Sequence, residues 1–163
     1  MIRLLNFLYR PRTDRFWQYV MGATVIAGLG SIALLGIVSI FTDALADDAA
    51  GPEVSVGWVH FIGIVVFSPV AETALLLVML RLLRRAGLSP AAAALVAALT
   101  WGCLHALLFP MWFFGTVWSF FVFSCAALAW QGKSVAHAFW AAALPHATIN
   151  GAIFGVVAIG AGA

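Results

Sequence analysis

A carboxylate, two imidazoles and a carboxamide stand out in a chain that is otherwise largely hydrocarbon: Glu72, His105, His146 and Asn150. Each lies well inside a long apolar run. A carboxylate at membrane depth costs a few kcal/mol or more, so Glu72, in the middle of SPVAETALLLVMLRLLRR (Ser68 to Arg85), is a functional candidate by default. A carboxylate can take a proton from water, and N–H donors can stabilise an oxyanion. Together in a dry site they suit acyl transfer without a covalent nucleophile. The same groups also fit an open Zn²⁺ site with a bound water, although no HExxH is present and the ligands would come from separate helices. The plain structural alternative is packing: a glutamate bonded to a neighbouring hydroxyl, and histidines satisfied inside a bundle.

The elements that must position these groups are membrane helices. Hydrophobic residues make up 64% of the chain and charged residues 9%, with a mean hydropathy of +1.08. Soluble domains are about 45–50% apolar and about 25% charged. Runs of roughly 20 apolar residues predict about five spans: Gln18–Thr42, Val56–Arg85, Pro90–Phe109, Met111–Gln131 and Ser134–Gly160. Short connectors make successive spans antiparallel. The length allows one domain, residues 1–163, with the motif-bearing core at 64–150.

All eight basic residues sort to one side of these spans. Arg3, Arg10, Arg12 and Arg15 precede the first, Arg81, Arg84 and Arg85 end the second, and Lys133 lies between the fourth and fifth. Asp43, Asp47, Asp48 and Glu53 follow the first span, and the positive-inside rule then places the N-terminus in the cytoplasm. The basic residues set topology; at a net charge of +2 they form no nucleic-acid surface. Residues 1–17 alternate apolar and basic groups and read as an interfacial segment. A signal peptide ending at Ala44-Leu45-Ala46 is the weaker reading, because the apolar run before it is too long. Cys103 and Cys125 both fall inside spans, as small buried residues, while His60 and His137 fall near span ends, where an interfacial role costs little.

Depth links the candidate residues. At about 1.5 Å per residue, Glu72 lies about 18–20 Å from Arg84-Arg85, His105 about 22 Å from Pro90 and His146 about 18 Å from Ser134. His146 and Asn150 are an i,i+4 pair on one helix face. Ala142, Ala143 and the Gly151/Gly155 pair favour close packing of that helix. Ser68-Pro69 predicts a break or kink with Ser68 as helix cap. Glu72 would then sit in a first helical turn, where free amides favour its ionised form and burial opposes it.

The three stretches Glu72-Thr73-Ala74-Leu75-Leu76-Leu77, Trp101-Gly102-Cys103-Leu104-His105 and His146-Ala147-Thr148-Ile149-Asn150, in this order and spacing, resemble the CAAX protease and bacteriocin-processing (CPBP or Abi) family. Its pattern is EExxxR after a proline, then FxxxH, then HxxxN. Gly132-Lys133-Ser134 resembles the family's glycine turn before the last helix. Thr73 stands where the family has a second glutamate, Leu77 where it has arginine, and Trp101 where it has phenylalanine. The first two departures remove both partners of an ion pair, so neither charge is left buried alone.

The resemblance implies an all-α polytopic bundle acting as an intramembrane glutamic endopeptidase in the cell (inner) membrane. Glu72 would be the general base, His105 would position or polarise the water, and His146 and Asn150 would stabilise the oxyanion. It implies no cofactor and no metal, a peptide or protein substrate entering from the bilayer, and no nucleic-acid partner. The readings of another class are a non-catalytic immunity or assembly factor of the same fold and, less favoured because no inverted repeat is visible, a proton-coupled transporter.

Overall fold

The computed structural model describes residues 7–9, 15–41 and 56–162, and among them every regular element is helical. The helices are α1 (Phe16–Phe41), α2 (Trp58–Arg85), α3 (Pro90–Ala106), α4 (Trp112–Trp130) and α5 (Val135–Gly160). They follow the apolar runs to within a turn at each end. α1, α2, α4 and α5 are each long and apolar enough to cross a membrane. α3 has 17 residues, or about 25 Å, close to the hydrocarbon thickness of about 30 Å. The chain is a multi-pass α-helical membrane protein whose exposed apolar faces, such as Met21, Val25, Leu29 and Ile32 on α1, meet lipid.

Local chemistry fixes the turns at the basic end. Gly87 at φ +90° ends α2 in the left-handed conformation. Its N–H bonds the Arg84 carbonyl and that of Leu88 bonds the Leu83 carbonyl, both at 3.2 Å, the paired closure of a Schellman motif. Ser89 then caps α3, accepting from the Ala92 N–H at 3.2 Å, with Pro90 in the first turn. Ser134 caps α5 by accepting from the His137 N–H at 3.1 Å.

α4 is the hub, packed on α1, α3 and α5. α3 meets it through a face of small residues, Ala94, Ala98 and Gly102 at successive i,i+4 positions, which lets the backbones approach. The α1/α4 seam is polar at its middle. Ser31 Oγ donates to the Gly115 carbonyl at 2.7 Å and lies 2.8 Å from Ser119 Oγ. Trp118 Nε1 donates to the Ile26 carbonyl at 2.9 Å, across a space where Gly30 has no Cβ. Phe16 packs against Trp130 at 4.9 Å and His137 at 5.6 Å, which brings the start of α1 to the end of α4 and the start of α5. Arg15, Arg81, Arg84, Arg85 and Lys133, the described basic residues, therefore share one end of the bundle. Asp43 to Glu53, Arg3, Arg10, Arg12 and the Ala44–Ala46 stretch lie outside the described residues.

The fold departs from the sequence reading in three places. Residues 7–9 fold back into the bundle instead of lying on its surface. Leu8 is fully buried, Tyr19 Oη donates to its carbonyl at 2.9 Å, and the Phe7 ring stacks on Tyr19 at 5.1 Å beside Gly22. Burial, with the Cys125 thiol bonding Tyr9 Oη at 3.1 Å, holds the Tyr9 phenol well above its ordinary value. Secondly, α2 does not break at Ser68-Pro69. It runs through a π-helical turn, Ile62–Phe67, and Phe67 and Ser68 both have helical dihedrals with no side-chain cap. The Ser68 N–H is bonded to the Gly63 carbonyl, so helix-end amides of the expected kind are not available to Glu72. Thirdly, of the Gly151/Gly155 pair only Gly151 meets a neighbour, with Val65 Cγ1 3.4 Å from where its Cβ would stand; Gly155 has nothing within 4 Å.

Candidate active site

Three helices bring the ionisable groups together. Glu72 Oε2 on α2 lies 3.8 Å from His105 Nε2 on α3 and 3.9 Å from His146 Nε2 on α5. Both separations exceed the roughly 2.7–3.2 Å of a direct N–H···O bond and suit groups that share a water. Glu72 Oε2 and His146 Nδ1 are buried and have no hydrogen-bond partner among the described residues. The other carboxylate oxygen, Oε1, accepts from Ser68 Oγ one turn earlier. Ser68, expected as a cap, instead pins one oxygen of Glu72 and leaves the second facing the imidazoles.

The hydrogen bonds assign roles to the ring nitrogens. His105 Nδ1 is 2.9 Å from the Trp101 carbonyl oxygen. A carbonyl only accepts, so Nδ1 carries the proton, and in the neutral ring Nε2 presents a lone pair to the centre. His146 has no acceptor at Nδ1 among the described residues, so its proton is best placed on Nε2, beside the carboxylate. The site thus offers an acceptor at His105, a donor at His146 and a base at Glu72. The side chains of Glu72 and His105 keep 18% and 22% of their surface and His146 keeps 6%. The carboxylate is partly accessible while the deeper imidazole is enclosed.

The dry wall comes from α4, which carries no acidic, basic or histidine side chain. Phe123 stacks on His146 at 5.0 Å and Phe120 meets it edge-on at 5.2 Å. Trp101 stacks on Phe120 at 4.8 Å, and Trp112 lies 6.4 Å from His105. The abundance of aromatics in α4 is visible in the sequence, but not which of them face the histidines.

Asn150 is one turn beyond His146 and serves a different contact: Nδ2 donates to the Ile64 carbonyl at 2.9 Å. Ile64 lies in the π turn. In an i→i+5 ladder its donor would be the N–H of residue 69, and Pro69 has none. The carboxamide of α5 supplies the hydrogen bond that the proline withholds, tying α5 to α2 four residues before Ser68.

Thr73 and Leu77 are the two neutral residues at which the sequence departs from the pattern it resembles. Thr73 is buried with its hydroxyl unpartnered among the described residues, and Leu77 packs against the core. No group of three or more His, Cys, Asp or Glu is placed to hold a metal ion among the described residues. His60 is exposed, and His137 stacks on Trp130 at 5.9 Å with Nδ1 2.8 Å from Ser134 Oγ. Both lie apart from the Glu72 cluster. The thiols form no disulfide; Cys125 is buried as expected, whereas Cys103, expected to be buried as well, is exposed.

Fold and site together define an all-α multi-pass membrane bundle with a carboxylate–imidazole centre among its helices. Comparison with protein-family models, with characterised proteins and with solved structures finds no match to this chain, so the functional reading rests on the residues themselves.

Proposed function

We propose that this protein is an intramembrane endopeptidase that hydrolyses a peptide bond with a water activated by Glu72. The observation that carries this reading is the buried, unpartnered Oε2 of Glu72, held between two imidazole nitrogens at 3.8 and 3.9 Å. A water accepted there is oriented by His105 Nε2 and gives its proton to Glu72 as its oxygen bonds to the substrate carbonyl carbon. His146 Nε2–H donates to the resulting oxyanion, in surroundings of low dielectric that strengthen the interaction. Collapse of the tetrahedral intermediate breaks the C–N bond, and the leaving nitrogen takes the proton back from Glu72. The products are a carboxylic acid and an amine, and no covalent nucleophile is used.

The family resemblance points to the same chemistry and assigns Asn150 to the oxyanion. Its bond to Ile64 favours a positioning role, acting on Glu72 through the backbone of α2. In the same reading the substrate is a peptide segment reaching the site from the bilayer, the protein resides in the inner cell membrane, and the basic end faces the cytoplasm.

Reconstituted wild type, Glu72→Gln and His146→Ala, each incubated with a peptide library and read by mass spectrometry, test the proposal. Cleavage by wild type that is lost in both variants and resists a strong chelator is the expected result. Cleavage that survives Glu72→Gln overturns it. Cleavage removed by chelator and restored by Zn²⁺ reassigns Glu72 and the histidines to metal ligation.

A further inference from the structure

The α3–α4 hairpin ends well short of its neighbours. From the end that gathers the described basic residues, α1 and α5 run 26 residues each and α2 runs 28, or about 39 and 42 Å. α3 and α4 have 17 and 19 residues, or about 25 and 28 Å. Their turn suits hydrocarbon. Leu107 to Trp112, LLFPMW, carries no charged, hydroxyl or amide side chain, and Leu107 and Leu108 are 82% and 73% exposed. The Leu107 N–H donates to the Cys103 carbonyl at 3.3 Å, and those of Leu108 and Phe109 donate to the His105 carbonyl at 3.0 and 3.1 Å. Those donors are satisfied within the chain, as a bilayer demands. The turns at the basic end are polar by contrast, with Arg84, Arg85 and Ser89 in one and Gln131, Lys133 and Ser134 in the other.

A hydrophobic element shorter than the bilayer draws the bilayer thinner around it. Exposed leucines in the turn resist contact with water, so the hydrocarbon boundary comes down to the turn. His105 is one residue before the end of α3, and Glu72 lies 3.8 Å from it. The Glu72 cluster is thus directly beneath the turn, with the carboxylate about 5–10 Å below the local boundary. Towards the basic end the core is closed by Leu76, Leu80, Ala94, Ala98, Ala127 and Ala142, none more than 3% exposed. We propose that the α3–α4 hairpin thins the bilayer over the site, and that water and substrate reach Glu72 from the face opposite the basic residues. The substrate class follows from the depth. It is a membrane-anchored polypeptide whose scissile bond lies within about two helical turns of that face. A water-soluble peptide would have to desolvate its backbone to reach this level, whereas a chain anchored in the bilayer is already there. The substrate assignment rests on the proposed hydrolysis; the thinning does not.

Thiol labelling of the full-length protein in sealed vesicles of known orientation tests the thinning. In a Cys103→Ala background, Leu107→Cys and Ile32→Cys replace two exposed side chains at nearly the same level, about 24–26 Å from the basic end. A cationic, membrane-impermeant methanethiosulfonate is added to one face at a time, with Lys133→Cys marking the basic face. Leu107→Cys should react at least about tenfold faster than Ile32→Cys, because a thiolate does not form in hydrocarbon. It should react only from the face that does not label Lys133→Cys. Equal rates at the two positions overturn the thinning, and reaction of Leu107→Cys from the basic face overturns the side. Co-reconstituted single-span peptides, read by mass spectrometry, test the substrate route. Cut bonds should fall within about two helical turns of the face opposite the basic residues, and the charged adduct on Leu107→Cys should slow cleavage by that variant at least about tenfold. Cuts at the bilayer midplane, or a rate that the adduct leaves unchanged, overturn the route while hydrolysis stands. No cleavage by wild type, with labelling as expected, overturns the hydrolytic reading and the route with it, and leaves the thinned hairpin.

Discussion

Removing the Asn150 carboxamide should destabilise the bundle in a way that depends on Pro69. In the wild type, Asn150 Nδ2 gives the Ile64 carbonyl its hydrogen bond at 2.9 Å, because the i→i+5 donor at position 69 is a proline nitrogen without hydrogen. Interhelical hydrogen bonds in membrane proteins average about 0.6 kcal/mol and reach about 1.7. A carbonyl left without any donor inside the bundle costs about 1–3 kcal/mol. Asn150→Ala should therefore cost about 1.5–2 kcal/mol. In a Pro69→Ala background the restored backbone N–H can take the Ile64 carbonyl, and the same truncation should cost about 0.5 kcal/mol or less. The double-mutant cycle then yields about 1 kcal/mol of coupling between residues on different helices. Equilibrium unfolding in mixed micelles, run on wild type, both single variants and the double variant, reads this number. Strict additivity would refute the account of why Asn150 is where it is. A second readout follows from the positioning role: Asn150→Asp should lose the donor and fall in stability as Asn150→Ala does.

Other expectations are simpler to measure. Gly30→Ala places a Cβ 1.8 Å from Trp118 Nε1 and must break the bond to Ile26; a loss of about 2–3 kcal/mol by thermal unfolding is expected from overpacking, and Trp118→Leu in the same chain should restore part of it. Ser68→Ala frees Oε1 of Glu72 from its donor and should lower kcat about tenfold with KM little changed, while Ser68→Thr, which keeps the hydroxyl, should retain most activity. In detergent, a maleimide should label Cys103, which is exposed, and spare Cys125, which is buried, so intact mass should give a single adduct per chain.

Much of this arrangement is legible from the residues. The helices α1 to α5 appear as apolar runs because hydrocarbon thickness sets their length. Counting 1.5 Å per residue from the basic end puts Glu72, His105 and His146 near one level, and the Glu72 distances show that they meet. What depth cannot supply is rotation about each helix axis. Hence Phe120 and Phe123 were hidden among the other aromatics of α4, although they enclose His146. The irregular turn was misplaced for a related reason. Ser-Pro signals a helix start in water, where freed amides can be solvated. Within a bilayer those groups must be satisfied internally, and α2 does so by winding more widely over Ile62–Phe67 and borrowing a donor from α5. The inward fold of residues 7–9 was equally invisible, since alternating apolar and basic groups suit a lipid surface and a bundle crevice alike.

The wide turn in α2 also sets the angular phase of the helix on either side of it. A π turn amounts to one residue more than an α-helix needs, and each residue of an α-helix advances the side-chain direction by about 100°. Trp58–Phe61 and Ser68–Arg85 are thus indexed to each other through Ile62–Phe67. Phe61, which packs on Phe154 of α5 at 5.6 Å, and Glu72, which faces His146 on the same helix, can address α5 together only at that phase. Winding the same residues into a regular α-helix would swing one of these contacts about 100° out of line, whereas deleting one residue from the turn would let α2 regularise with both contacts kept. A single-residue deletion within this segment is therefore less disruptive to α2 than one elsewhere in the helix. The turn works as a vernier between the packing half of the helix and its chemical half.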